Sequence, residues 1–462
     1  MSSCLSRREF TASLGGLAIA SRLFGAVETG PWAGPAIVRK VFLAVPTPSW
    51  PRPDLNVAAE KAEMDGRLTE LEAKHPGVVR FTGGDLLRTP DDAQQLVKSL
   101  GDVDGVLIVD LTSGTSGMLA PLRDIQVPTL LWARPYSGWS YVDVSRWAQQ
   151  GKKADLVSTS EPGDLDPYMR IFRTIHHLRH SKVLVVASGS GRNQTADAFS
   201  KQFGTTFAFP AYADLKAAFD AVDVKKAQQE ADKFSRAALK VVEPSAKEIT
   251  DSMRLYYGIL AVLEKEKANA VTVDCLGGFK RGDLPAYPCL AWSKLNDTGM
   301  YGVCEADLAS TMTQLLLTSF SGKPAFVSDP VFDTSRNEII HAHCVSATAL
   351  QGVEGARSPY LIRSHMEDNK GVSIQVMVPI QETVTCSKFL TPSTLGVSTG
   401  EVIGNVDNPR GCRTKFRTRV ADARKMLENF SGGLHRVVIY GDYLRPVEQM
   451  GRLMGFKTVR EC

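Results

Sequence analysis

Val106-Leu107-Ile108-Val109-Asp110, running into Thr112-Ser113-Gly114, is a short β-branched run that stops on turn-forming residues. Such a run reads as a strand, and its neighbours repeat the pattern. Residues 41–45 form a similar run ahead of Pro46 and Pro48, and residues 129–133 form another ahead of Arg134-Pro135. Polar amphipathic segments separate the runs from Ile37 onward, which predicts βαβ units and a parallel sheet. In such a sheet ligands bind beyond the carboxyl ends of the strands, so the turn residues mark where a crevice lies.

A second unit opens at Lys182-Val183-Leu184-Val185-Val186-Ala187 and turns at Ser188-Gly189-Ser190-Gly191-Arg192. That turn is not GxGxxG and no acidic residue follows at the ribose-reading distance, so a tight strand-to-loop turn is the reading. Helices are expected over 211–242 and 246–267, the second with Met253, Tyr256, Ile259 and Leu260 on a core-facing stripe. After about Phe326 the texture changes. Strands are predicted over 338–341, 372–378, 383–388, 402–404 and 437–440, with a helix signal only at 421–429. The fold class is therefore α/β: two Rossmann-like parallel-sheet α/β domains followed by a mainly antiparallel, barrel-like β domain. The expected divisions are an N-terminal segment 1–30, then 36–180, 181–325 and 326–462.

The 462 residues exceed the size at which one core stops growing, and 43% hydrophobic with 23% charged residues supply ordinary globular cores. A formal charge of +4 is small for this length and argues against nucleic acid as a partner. Arg410, Arg413, Lys415, Arg417 and Arg419 alternate along a strand and read as a solvated face. At the N-terminus, Ser6-Arg7-Arg8-Glu9-Phe10 precedes a mildly apolar stretch from Leu14 to Ala20, which resembles a twin-arginine export signal. That resemblance implies a periplasmic or exported protein. The apolar stretch falls far short of the roughly 20 residues that cross a bilayer, so no stable membrane anchor is expected. Eight cysteines are too few for a disulfide framework, and Cys275, Cys289, Cys304 and Cys344 read as buried small hydrophobes.

The richest segment lies between Val273 and Cys344. It contains Cys304-Glu305-Ala306-Asp307-Leu308, then Pro324-Ala325-Phe326-Val327-Ser328-Asp329, then Asn337-Glu338-Ile339-Ile340-His341-Ala342-His343-Cys344. Much later comes Gly432-Gly433-Leu434-His435-Arg436-Val437-Val438-Ile439-Tyr440-Gly441-Asp442. The ordered series resembles the metal-site sequence of the L-fucose and L-arabinose isomerases and the wider fucose-isomerase-like group. That resemblance implies Glu305 and Asp329 as catalytic carboxylates and metal ligands. It implies His343 and His435 as further ligands, and a homo-oligomer, trimer or hexamer.

The chemistry fits those residue types. Moving a proton between adjacent carbons of a sugar while a carbonyl and a hydroxyl exchange needs a base, a second acid/base group and a cation that holds both oxygens. Two carboxylates and imidazole around an octahedral ion suit Mn²⁺ best, with Mg²⁺ or Co²⁺ possible, and a thiolate-poor set argues against structural zinc. The expected activity is that of a metal-dependent aldose–ketose isomerase. The alternatives are an exported, non-catalytic sugar-binding protein and a metal-assisted sugar epimerase.

Competing readings stand beside each residue. Glu305 suits a helix-capping role with Asp307 next to it, and Asp329, ahead of Pro330, suits a turn. His341 and His343 alternate on a strand and share a face, one a ligand and the other a satisfied core group, with His343 preferred. His176, His177 and His180 have helical spacing but sit among Arg173, Arg179 and Lys182, which predicts a solvated helix end. Arg363 and His365 are candidates for the sugar pocket. Trp132, Trp139 and Trp292 are candidate stacking platforms, with core packing the default.

Overall fold

The computed structural model describes residues 30–189 and 193–462. The twin-arginine stretch and the Ser190 to Arg192 part of the glycine-rich turn lie outside the described residues. Among the described residues no helix is long and apolar enough to cross a membrane.

The first sheet is built from β1 (Ala36–Leu43), β2 (Val79–Leu87), β3 (Gly105–Asp110), β4 (Thr129–Ala133) and β5 (Ala154–Ser158), all parallel, in the order β2-β1-β3-β4-β5. Every residue of β3 and β4 is buried. Strands covered on both faces read as unbroken apolar runs, which is why these were legible. The order reverses direction at β1, so the crevice of this sheet opens between the ends of β1 and β3. Asp110 closes it: burial pushes its carboxyl up to about 6, against the pull of Ser140 and Thr115. Gly138 lies so close that a Cβ there would stand 2.5 Å from Asp110 Oδ2.

Next along the chain come β6 (Lys182–Val186), β7 (Thr206–Ala208), β8 (Lys240–Val241), β9 (Ala270–Val273) and β10 (Tyr301–Cys304). Four of them make a second parallel sheet, ordered β10-β9-β6-β7. The stretch expected as one helix over 211–242 is two, Tyr212–Asp220 and Val224–Ala237, with β8 beyond them. Asp223 causes the break: its carboxylate accepts from the Lys225 and Lys226 N–H groups and starts the second helix. The helix Ala246–Glu266 begins on a Ser245/Glu248 capping box and buries Met253, Tyr256, Ile259 and Leu260, as the periodicity predicts.

The remaining strands are β11 (Phe326–Asp333), β12 (Glu338–His343), β13 (Tyr360–Arg363), β14 (Ser373–Val376), β15 (Thr383–Thr391), β16 (Thr394–Asn405), β17 (Thr414–Val420), β18 (Arg436–Tyr440) and β19 (Lys457–Arg460). Six of them form a closed antiparallel barrel, β15-β18-β11-β12-β17-β16, because β16 pairs back onto β15. Closure leaves no open edge among the six. β19 lies parallel along β16, and β13 and β14 form a small separate sheet with β8. The helix Ala423–Glu428 matches expectation, but a second, Leu444–Met454, does not. Pro446 and Gly451 interrupt its composition and hide its strongly two-faced pattern.

The solvated strand face expected from Arg410 to Arg419 is only half so. Arg413 and Lys415 are buried, the first donating from Nε to Ser364 O at 2.8 Å and the second from Nζ to Arg410 O at 2.9 Å. Arg410 and Arg419 are exposed. The helix Leu308–Ser321 packs against β10 on one side and against β15 and β18 on the other, so the end of the second sheet is held over the rim of the barrel.

Candidate metal centre

Glu305 follows directly on β10 and adopts φ +64°, with Ala306 at φ +52°. Non-glycine residues enter the left-handed region at a cost on the order of 1–3 kcal/mol, and two in succession turn the chain sharply. The turn is pinned by the Ala306 N–H donating to Val273 O at 3.0 Å. Capping belongs not to Glu305 but to Asp307, whose carboxylate accepts from the Ser310 N–H at the start of Leu308–Ser321. Glu305 is thereby free to project its side chain, 36% exposed, over the barrel rim.

Three barrel strands meet it there. In the antiparallel register Ser328 of β11 faces Arg436 of β18, so Asp329 and His435 are neighbours one step on. Asp329 also faces Ala342 of β12, beside His343. Asp329 is thus a strand residue, not a turn. Gly432, at φ +75°, brings the chain into β18 so close to Leu390 that a Cβ would stand 2.7 Å from its Cα. One ligand atom each from Asp329, His343 and His435 lies within 4.8 Å of the others, and Cys304, Glu305 and His343 form a second such group.

The electrostatics of this cluster decide what it can hold. His435 donates from Nδ1 to Asp307 Oδ2 at 2.8 Å. In its neutral form the ring then presents a lone pair at Nε2, which faces Asp329 Oδ1 at 3.3 Å and Glu305 Oε2 at 3.5 Å. Acceptor faces acceptor. Asp329 Oδ1 and His435 Nε2 are both buried with no hydrogen-bond partner among the described residues, an arrangement that costs free energy unless a cation lies between them. Neighbouring ligands of an octahedral ion at about 2.1 Å stand about 3.0 Å apart, close to the separations seen. Glu305, Asp329 and His435 thus fit a divalent cation.

The surroundings tune these groups. Burial pushes the Asp329 carboxyl up to about 6, opposed by the His435 ring and reinforced by Glu305. Burial acts on Asp307 the same way, but His435 and the Lys388 ammonium hold its carboxyl well below the usual range. Lys388 lies on β15, 1% exposed, bonded to Asp307 and to Ser310 Oγ. A carboxylate that fixes the tautomer of a ligating histidine is a recurrent support of metal sites. Asp307 is the functional residue that sequence reasoning passed over as a neighbour of Glu305.

His343 has a different role open to it. The Cys344 N–H donates to its Nδ1 at 2.9 Å, which places the neutral ring's proton on Nε2, directed to Glu305 Oε1 at 3.9 Å. Burial, with His435 and His365 nearby, lowers its pKa to about 3. As placed the ring is a hydrogen-bond donor, and ligation through Nε2 requires that the Cys344 contact be given up.

His341, two residues deeper, is the satisfied core group: Nδ1 meets Ser328 Oγ and Nε2 meets Thr418 Oγ1, each at 3.0 Å. Burial depresses its pKa from 6.5 to about 3. Its neutral form therefore contributes stability that is complete above pH 6.5 and lost as the pH falls toward 3. The unfolding free energy from denaturant titrations should fall by on the order of a few kcal/mol between pH 7 and 4, and His341→Gln should flatten that slope. An unchanged slope in the variant would assign the acid sensitivity elsewhere.

The other candidates separate. His365 is buried close to His343, stacked on Tyr287 at 4.6 Å, with Nδ1 3.6 Å from Asp368 Oδ1. Arg363 is held by Glu243 at 2.7 Å and by Gln375, and does not join it. Trp292 is fully buried against Gly302, which has no room for a Cβ, so it is core and not a stacking platform. Trp132 is core too, donating from Nε1 to Thr159 O. Trp139 is half exposed and stacks on Trp50 at 5.2 Å, beyond β4 of the first sheet. The expected solvated helix end at His176, His177 and His180 is corrected: His176 and His177 are buried. His176 bonds Asp104 at 2.8 Å and His177 bonds Tyr301 at 2.9 Å. Asp104 also receives Arg179 at 2.6 Å, so a cation has no place there.

No family model matches the chain, and no curated protein matches it in sequence.

Proposed function

We propose that the chain is a metal-dependent aldose–ketose isomerase of the fucose/arabinose isomerase type, with its site where β10 meets the barrel rim. The observation that carries the reading is the convergence of Glu305 Oε2 and Asp329 Oδ1 on the lone pair of His435 Nε2, with no donor to separate them. The ordered sequence series around these residues supports it. A divalent cation such as Mn²⁺, Mg²⁺ or Co²⁺ at this position supplies Lewis-acid polarisation of two adjacent sugar oxygens.

The chain's own residues supply the rest. Glu305, the more exposed carboxylate, takes the proton from the carbon beside the carbonyl and returns it to the neighbouring carbon. Asp329, whose carboxyl burial brings to about 6, passes the proton between the two oxygens. His343 donates from Nε2 to a substrate oxygen. The Asp307 carboxylate keeps the proton of His435 on Nδ1. His365 lines the substrate side.

Purified protein incubated with a panel of aldoses and Mn²⁺ in deuterium oxide should yield the ketose carrying deuterium beside the carbonyl. Sugar binding without turnover would reject the enzyme reading in favour of a binding protein. Deuterium incorporation with inverted configuration and no ketose would make it an epimerase.

A further inference from the structure

A cleft of about 300 Å³ lies at the amino ends of the first sheet's strands, opposite the β1/β3 crevice, and none of its lining residues belongs to the metal centre. The turns that lead into β3, β4 and β5 form one wall and carry Lys153. The ends of the helices Asp166–His180, Gln194–Phe203 and Leu444–Met454 form the other, through Leu178, Phe203 and Met454. These three side chains are buried, so the cleft has an apolar floor. Its charges do not cancel. Arg179 donates to Asp102 Oδ1 and to Asp104 Oδ1, each at 2.6 Å. Asp155 is held by Arg452 and Asp124 by Lys152, each at 2.8 Å. Gln202 Nε2 occupies the carbonyls of Met454 and Gly455 at 2.9 and 3.2 Å. The stem of Lys153 lies along Gly455, where a Cβ would stand 3.3 Å from its Cγ, and its ammonium has no hydrogen bond or ion pair among the described residues. Burial lowers its pKa, and the nearby Arg179 guanidinium lowers it further. Lys201, exposed on the rim, is also unpaired among the described residues.

We propose that this cleft binds a small organic anion, an oxyanion head of the carboxylate or phosphate kind on an apolar body, with the head on Lys153 beneath the rim charge of Lys201 and the body on Leu178, Phe203 and Met454. The inference rests neither on isomerase activity nor on a metal. A half-buried ammonium without a counter-ion costs free energy, which an oxyanion returns as charge-assisted hydrogen bonds. The apolar floor adds the burial of the body, a gain that a bare inorganic anion lacks. The lining comes from the first sheet, from the helices on either side of β6, and from the helix after β18. An occupant therefore ties three parts of the chain together, and it stabilises the folded state by mass action.

The test is thermal unfolding and titration calorimetry of the full chain with phenylacetate and phenyl phosphate, with benzyl alcohol as the neutral body and inorganic phosphate as the bare head. At least one of the two organic anions should bind one per chain and raise the unfolding temperature with its concentration, and the tighter of them identifies the head. Benzyl alcohol and inorganic phosphate should each bind about tenfold or more weakly. Lys153→Met should weaken the organic anion by about 10–100-fold, while the empty protein keeps or gains stability because an unpaired charge is gone. Lys153→Arg should retain binding. Lys201→Glu carries the test to an exposed position that leaves the core alone, and reversing the rim charge should weaken the anion about threefold or more. No response to either organic anion at millimolar concentration overturns the proposal. So does binding of benzyl alcohol or inorganic phosphate as tight as that of the organic anions, and so does an undiminished affinity in Lys153→Met or in Lys201→Glu.

Discussion

Glu305→Gln is expected to lower the turnover of whatever sugar the chain converts by a factor on the order of 10²–10⁴, the range lost when a positioned acid/base group is removed. The amide keeps the shape of the side chain and leaves a carbonyl oxygen that can still meet a cation, but it accepts no proton near neutral pH. The backbone gives no reason for a structural loss. Residue 305 already holds φ +64° as a non-glycine, and glutamine enters that region no less readily than glutamate. Metal binding should therefore survive in large part, which a Mn²⁺ titration by electron paramagnetic resonance would measure beside kcat. Full turnover in the variant contradicts the assignment of Glu305 as the base. Loss of both turnover and metal would make it a ligand and nothing more.

How the site was legible in the sequence follows from where each residue sits. Glu305, Asp329 and His435 were legible through the ordered series that carries the resemblance; Glu305 directly follows β10 and His435 directly precedes β18, whereas Asp329 lies inside β11. Of His341 and His343, expected as one ligand and one core group, His341 is the core group, held at both ring nitrogens, whereas His343 as placed turns an N–H toward Glu305. Both point the same way from β12, and Thr418 of the neighbouring β17 reaches only the deeper ring. Partners remote in the chain were beyond reach. The solvated reading of His176 and His177 failed because Asp104 and Tyr301, 72 and 124 residues distant, receive their rings. Trp292 is spoken for by Gly302, a close approach that no spacing rule reveals. Asp307 was hidden for the same reason: locally it is an ordinary helix cap, and its second task is set by His435 and Lys388, 128 and 81 residues away.

That second task yields the other large effect. Asp307→Asn should weaken Mn²⁺ binding by about 10–100-fold, although residue 307 touches no cation. The asparagine amide bonds His435 Nδ1 as readily with its N–H as with its oxygen, so the proton is free to move to Nε2, where it blocks the lone pair aimed at Asp329 and Glu305. The same change strands Lys388, whose buried ammonium keeps only Ser310 Oγ at 3.1 Å. Removing one partner of a buried ion pair costs about 3–5 kcal/mol, so a fall in stability is expected as well and would by itself obscure the cause. Asp307→Asn combined with Lys388→Met separates the two. Methionine leaves no charge to strand, and much of the lost stability should return in denaturant unfolding, while the metal affinity stays low because the tautomer of His435 is still unfixed. Recovery of affinity along with stability would mean that Asp307 acts on the metal only by holding the fold together. Affinity unaltered in the single variant would mean that His435 does not ligate through Nε2.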